Sequence, residues 1–103
     1  MRPSLSVETA LKELGANLKT ARLRRRLPQN QVAERAGVSL NTLSKVESGD
    51  PGVAIGNVAS VIQAIGLDVS LLGKIASPIN DLSGIKIENE RLPQRARSPK
   101  RSF

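Results

Sequence analysis

The side chains with usable chemistry concentrate in residues 29–49, QNQVAERAGVSLNTLSKVESG. There Leu40, Asn41, Thr42, Ser44 and Lys45 form a run of short or hydrogen-bonding groups, interrupted by apolar residues at a helical interval. An amide, two hydroxyls and an ammonium can recognise a polar surface, and a leucine can cover a methyl group. Bond-breaking chemistry is poorly supplied by comparison. The chain contains no His and no Cys. A Ser-His-Asp or Cys-His arrangement is therefore impossible, no disulfide framework exists, and zinc has no imidazole or thiolate to bind. A phosphate-cradling glycine loop is also missing. The reading is a binding protein and not an enzyme, with no catalytic residue, no cofactor and no metal.

Charge narrows the partner. The formal net charge is +7, which points to a polyanion: nucleic acid, an anionic membrane surface or an acidic protein. The positive residues are grouped, with Arg22, Arg24, Arg25 and Arg26 in one cluster and Arg91, Arg95, Arg97, Lys100 and Arg101 in another. No apolar run approaches the ~20 residues that span a bilayer, and the start of the chain has no apolar signal core. A cytoplasmic, soluble protein with no membrane partner is expected. In 103 residues the only aromatic is Phe103, so one small domain must be packed from Leu, Ile, Val and Ala.

The elements that must hold the polar run follow from spacing. Val7, Leu11, Leu14, Leu18 and Ala21 recur at intervals of four and three, predicting a helix over 7–26 capped by Ser6. Gly15 inside it costs about 1 kcal/mol against Ala and suggests that the structural helix starts nearer Ala16. A short helix is predicted from 28 to 36, with Pro28 at its first position and Gly37 ending it. Ser39 should cap a third helix that runs to Ser48 and stops at Gly49. Asp50, Pro51 and Gly52 read as a turn. A fourth helix, from about Ile55 to Ala64, presents Ile55, Val58, Ile62 and Ile65 inward and closes at Gly66. Leu67, Val69 and Leu71 then alternate with Asp68 and Ser70, the pattern of a half-buried strand. A lone strand needs a mate, and no other segment of the chain supplies one, so a second subunit is the expected partner. Residues 1–75 form the folded domain in this reading, and 76–103 a flexible basic tail.

The second and third helices are joined by Gly37, Val38 and Ser39, a tight turn with an apolar plug. Val32 and Ala36 share one face of the first helix, small Ala33 permits a close crossing, and Leu43 with Val46 completes the inner face of the second. The outer face is Leu40, Asn41, Thr42, Ser44 and Lys45. In a helix-turn-helix this face enters the major groove. Asn bonds adenine, Lys reaches guanine, Thr and Ser bond either, and Leu can touch a thymine methyl. Gln29, Ser39, Arg24 and Arg26 are the expected phosphate contacts. Charge at the end of the first helix is also the ordinary complement of the helix dipole.

These pieces, GANLKTARLRR, QNQVAERAGVSLNTLSKVESG and VIQAIGL, resemble the XRE (Cro and phage-repressor) helix-turn-helix family over roughly residues 15–72. The run GDPGVAIGNVASVIQAIGL and the segment RLPQRAR are similar to the HipB-like antitoxins found beside HipA-type kinase toxins. The resemblance implies an all-α, five-helix phage-repressor-like domain, a homodimer on a palindromic double-stranded DNA operator, and a strand after the bundle paired across the dimer at Leu67, Val69 and Leu71. It further implies a structural ion pair between Arg22 and Glu47. The implied function is a transcriptional repressor, autoregulating a toxin–antitoxin operon, with a HipA-like kinase as a second partner. The other reading is a protein-interaction module that binds such a toxin, with DNA secondary. Two positions depart from the family pattern. Pro28 stands where a capping Ser or Thr is usual, and Ala54 stands where a capping Ser is common.

Overall fold

The computed structural model describes residues 2–79 and 81–91, with Arg91 described by its backbone alone. The elements in chain order are α1 (Leu5–Arg24), α2 (Gln29–Ala36), α3 (Leu40–Ser48), α4 (Ile55–Ile65), α5 (Ser70–Gly73) and α6 (Leu82–Arg91). The chain divides after Val69 into two compact units.

In the first unit α2 packs on α4 and α1 packs on α3, with α2 and α3 also in contact. The core is Leu18, Val32, Ala33, Leu43, Val46, Val61, Ile62 and Ile65, all aliphatic. Val61, which the periodicity argument did not select, is fully buried, whereas Ile55 is 74% exposed. Ile62 and Ile65 are buried as expected and Val58 is half-buried, so the inner face of α4 keeps its expected side and widens to take in Val61. Ile55 opens the helix, before any neighbour covers it.

α1 starts earlier than expected. Ser4, not Ser6, is the N-cap, and its Oγ accepts from the Val7 N–H at 3.2 Å. Nor does the helix break at Gly15. A Cβ there would stand 2.6 Å from the carbonyl oxygens of both Val46 and Glu47. The glycine is the point where α1 lies against the backbone of α3, so its propensity cost is set against a close helix approach. Gly49 serves the same approach from the other side, where a Cβ would meet Lys12 Cα at 2.6 Å.

Caps define the remaining ends. Pro28 is the N-cap of α2 and makes no side-chain cap bond. Ser39 caps α3 by accepting from the Thr42 N–H at 3.0 Å. Gly37, Gly49 and Gly66 end α2, α3 and α4 in the left-handed conformation, as the sequence predicts.

The strand predicted for Leu67, Val69 and Leu71 is not formed. Leu67 and Asp68 are irregular, Val69 lies in a turn, and Ser70–Gly73 is a single helical turn. A strand in one chain leaves its backbone groups without partners. Here Leu67 N–H instead bonds the Ile62 carbonyl at 3.1 Å, and Lys74 N–H bonds the Leu71 carbonyl at 3.1 Å. Residues 1–75, the expected domain, hold five helices, α1 to α5, with the one-turn α5 standing where part of the strand was expected.

In the second unit α6 occupies residues predicted to belong to the tail. Asp81 starts it, accepting the Gly84 N–H at 2.9 Å through its carboxylate and the Ile85 N–H at 3.0 Å through its carbonyl. The basic residues Arg95, Arg97, Lys100 and Arg101 lie outside the described residues.

Candidate nucleic-acid interface

α2, the Gly37–Val38–Ser39 turn and α3 form one rigid corner. Gly37 takes φ 71° with open space around it, so its role is conformational, not steric. The chain can then reverse, and Val38 N–H bonds the Ala33 carbonyl at 3.0 Å. Val38 is half-buried in the angle.

Burial orients α3. Leu43, Val46 and Glu47 face inward. At about 100° per residue, Asn41, Lys45 and Ser48 point to the opposite side, and all three are exposed. Thr42 and Ser44 fall on opposite flanks; Thr42 is half-buried and Ser44 exposed. Leu40, in the first turn, is 52% exposed. The five residues expected on one face therefore divide into an outward pair, Asn41 and Lys45, and three that border it.

Existing hydrogen bonds restrict two of the expected contacts. Ser39 Oγ, besides accepting from Thr42 N–H, donates to Thr42 Oγ1 at 3.0 Å. Its proton is committed to the cap, while the Thr42 hydroxyl keeps its own to donate. Gln29, at the first position of α2, donates through Nε2 to Glu47 Oε1 at 3.2 Å. Glu47 in turn receives Arg22 Nε on Oε2 at 2.6 Å and Arg22 Nη2 on Oε1 at 3.2 Å. Arg22 also donates through Nη1 to the Leu27 carbonyl at 2.9 Å. This forked pair is buried. It ties α1, the α1–α2 loop and α3 together and sets Gln29 beside α3.

Arg24 and Arg26 are exposed at the end of α1. Arg26 takes φ 54°, the one non-glycine with positive φ among the described residues. Arg25 folds back, donating to the Ala21 carbonyl at 3.1 Å. Leu67, Val69 and Leu71, expected as a dimer strand, follow α4 in the chain and form no strand. Two residues that sequence reasoning left out do border it. Lys19 and Ser48 line a cleft with Gln29, Ser44 and Glu47. The signal for Lys19 was its place three residues before Arg22, hence on the same face of α1. Ser48 could have been found by continuing the Asn41–Lys45 stripe to the last turn of α3. No cluster of metal-binding type exists among the described residues, and no described helix is long and apolar enough to cross a membrane.

The helix-turn-helix domain model matches residues 13–73, which hold all of α2, α3 and α4 and most of α1. The chain belongs to the helix-turn-helix domain family. It is similar to the uncharacterized HTH-type transcriptional regulator y4mF of Sinorhizobium fredii, with 33% identity over 60 residues, which are 58% of this chain and 79% of that relative. No solved structure matches the chain. α2 and α3 are the two helices of the motif, α2 lies across the start of α3, and the Arg22–Glu47 pair ties α1 to α3.

Proposed function

We propose that this helix-turn-helix protein is a sequence-specific DNA-binding transcriptional repressor that reads the major groove with α3. The observation that carries this reading is the outward placement of Asn41 and Lys45, opposite the buried Leu43, Val46 and Glu47. Asn can bond both N6 and N7 of adenine, and Lys can reach O6 or N7 of guanine. Thr42 and Ser44 flank these two and add single bonds, and Leu40 covers a thymine methyl. Arg24, Arg26 and Gln29 contact phosphates and set the register. The net charge of +7 supplies the sequence-independent attraction, and the similarity to the Sinorhizobium HTH-type transcriptional regulator supports a regulator. The finer reading is a homodimer on a palindromic operator in the bacterial cytoplasm, autoregulating a HipA/HipB-like toxin–antitoxin operon; it rests on the resemblance of the α3–α4 segment to HipB-like antitoxins.

The deciding experiment is a titration against the DNA upstream of the protein's own operon, with scrambled duplex as competitor, at two salt concentrations. Retained binding in the presence of competitor is the expected result. Equal loss to both duplexes would overturn sequence-specific regulation.

A second reading, a module that binds a kinase-like toxin, draws on the second unit. There Leu71, Ile75, Ile79, Leu82 and Ile87 are all exposed, apolar side chains that a protein partner could cover. Co-purification with a co-expressed HipA-like kinase tests this reading. Free kinase in the flow-through would remove it.

A further inference from the structure

No described residue after Ile65 is buried. The second unit therefore keeps its apolar side chains outward: Ile79 is 82% exposed, and Ile75 and Leu82 are 75% exposed. α6 has 10 residues, and an isolated helix shorter than about 12–15 residues is marginal in water. Asp81 caps its first turn, which adds only about 1 kcal/mol. Such a helix persists by laying an apolar side on something else.

The same unit carries a receiving groove. Ala76, Pro78, Ile85 and Ile87 line an open cleft of about 400 Å³, with Asp81 and Glu88 in the same wall. It has room for aliphatic side chains of the kind that Ile79 and Leu82 present. Knob and hole thus belong to one unit. That is the condition for a self-complementary contact, in which one residue of a copy meets a second residue of the other, and the reverse.

Charge selects the same occupant. The whole chain carries +7, so two copies repel each other over most of their surface. Residues 70–91 are the exception, where Lys74, Lys86 and Arg91 balance Asp81, Glu88 and Glu90. A balanced segment lets two basic chains approach and holds both signs for pairing across a two-fold axis. An acidic protein or an anionic membrane gains nothing from a patch of zero net charge. At roughly 100 Å² each, Leu71, Ile75, Ile79, Leu82 and Ile87 offer roughly 500 Å² of apolar surface per copy. With a polar rim, that approaches the ~800 Å² that one partner gives to a specific interface.

We propose that residues 70–91 form the contact between two copies of this chain, with Ile79 and Leu82 of each copy seated in the cleft of the other. The proposal rests on the homodimer reading and supplies the interface that the unformed strand at Leu67, Val69 and Leu71 does not provide. Side chains of helix and turn hold the copies together, not paired backbone. Joining two chains here brings two α3 helices to one duplex, as a two-fold operator needs.

Sedimentation velocity of the full chain over a concentration series, without DNA, tests this. Wild type should reach twice the chain mass at micromolar concentration. Ile79→Glu and Leu82→Glu should each raise the dimer dissociation constant at least about tenfold. Both positions are exposed, and Ile79 precedes α6, so its substitution leaves that helix intact; a circular-dichroism melt checks the fold. Leu5→Glu, at an exposed apolar site in the first unit, should change nothing. A dimer unmoved by Ile79→Glu and Leu82→Glu, or moved equally by Leu5→Glu, overturns this interface and leaves the homodimer reading intact. Wild type that stays monomeric at every concentration overturns it too, and specific operator binding by that monomer would keep the DNA reading. A monomer that binds the kinase of the second reading, and loses it in Leu82→Glu, gives the surface to the kinase and likewise overturns self-association.

Discussion

Arg22 Nε lies 2.6 Å from Glu47 Oε2, and the two side chains are buried together across 25 residues of sequence. Such a pair stabilises little against a well-packed apolar alternative, yet breaking it from one side leaves a buried charge alone. Arg22→Ala should therefore cost about 3–5 kcal/mol, a large share of what a domain of this size possesses. Replacing both members, as in Arg22→Met with Glu47→Leu, should recover much of the loss. Recovery stays incomplete, because the Leu27 carbonyl and the Gln29 amide lose their partners. Urea unfolding of the three variants measures the difference.

Two glycines in helices should respond oppositely to alanine. At Gly15 a Cβ would press on the Val46 and Glu47 carbonyls at 2.6 Å, and backbone cannot swing aside as a side chain can. The overpacking cost, about 1–3 kcal/mol, exceeds the propensity gain of roughly 1 kcal/mol. At Gly56 in α4 a Cβ meets nothing within 4 Å, so Gly56→Ala should stabilise by up to about 1 kcal/mol. Paired thermal melts give the two signs.

Arg26 holds φ 54°, a conformation that costs a non-glycine residue about 1–2 kcal/mol. Arg26→Gly should raise the melting temperature. It should also weaken duplex binding and lower the salt slope by about 0.9, if Arg26 meets a phosphate. Higher stability with unaltered binding would show that Arg26 contacts no DNA.

α4 begins at Ala54 with extended backbone, ψ 139°, and no side-chain cap. The geometry already suits a capping residue. Ala54→Ser or Ala54→Asp should add about 1 kcal/mol, with the acidic residue also favoured by the helix dipole. Because position 54 is exposed and outside the interface, DNA affinity should not change. Denaturant midpoints and one binding isotherm check both statements.

On the outward face of α3, Asn41→Ala and Lys45→Ala should each cost about 1–3 kcal/mol on the operator and relax preference at one base pair. On random duplex, Asn41→Ala should bind like wild type. Systematic single-base substitution of the operator against each variant assigns the position. Variants that keep wild-type preference would move the base-reading face elsewhere.

Much of the corner was legible in the sequence because its signals act within one turn of chain. Gly37, Gly49 and Gly66 close their helices where expected, and Ser39 caps α3 through its own neighbour Thr42. The inner residues Val32, Leu43, Val46 and Ile62 were readable from spacing alone. Asp81 is a local signal too, but the fading apolar pattern after residue 76 masked it, and α6 was missed.

By itself, then, the amino-acid sequence determined the helical class, the ends of α2, α3 and α4, the helix-turn-helix corner, the positive charge and the lack of His and Cys. Each is a property of composition or of residues a few positions apart. The tertiary structure decided the rest. It kept α1 whole through Gly15, because the reason for that glycine lies in the backbone of α3, more than 25 residues away. Helix turns replaced a strand after Leu67, because a strand depends on a partner and a turn does not. Packing also ranked the polar face of α3, putting Asn41 and Lys45 outermost and Ser44 beside Lys19 and Gln29. That ranking depends on which side of α3 is buried and on what lies against its flanks, and both follow from contacts between segments that are distant in the chain.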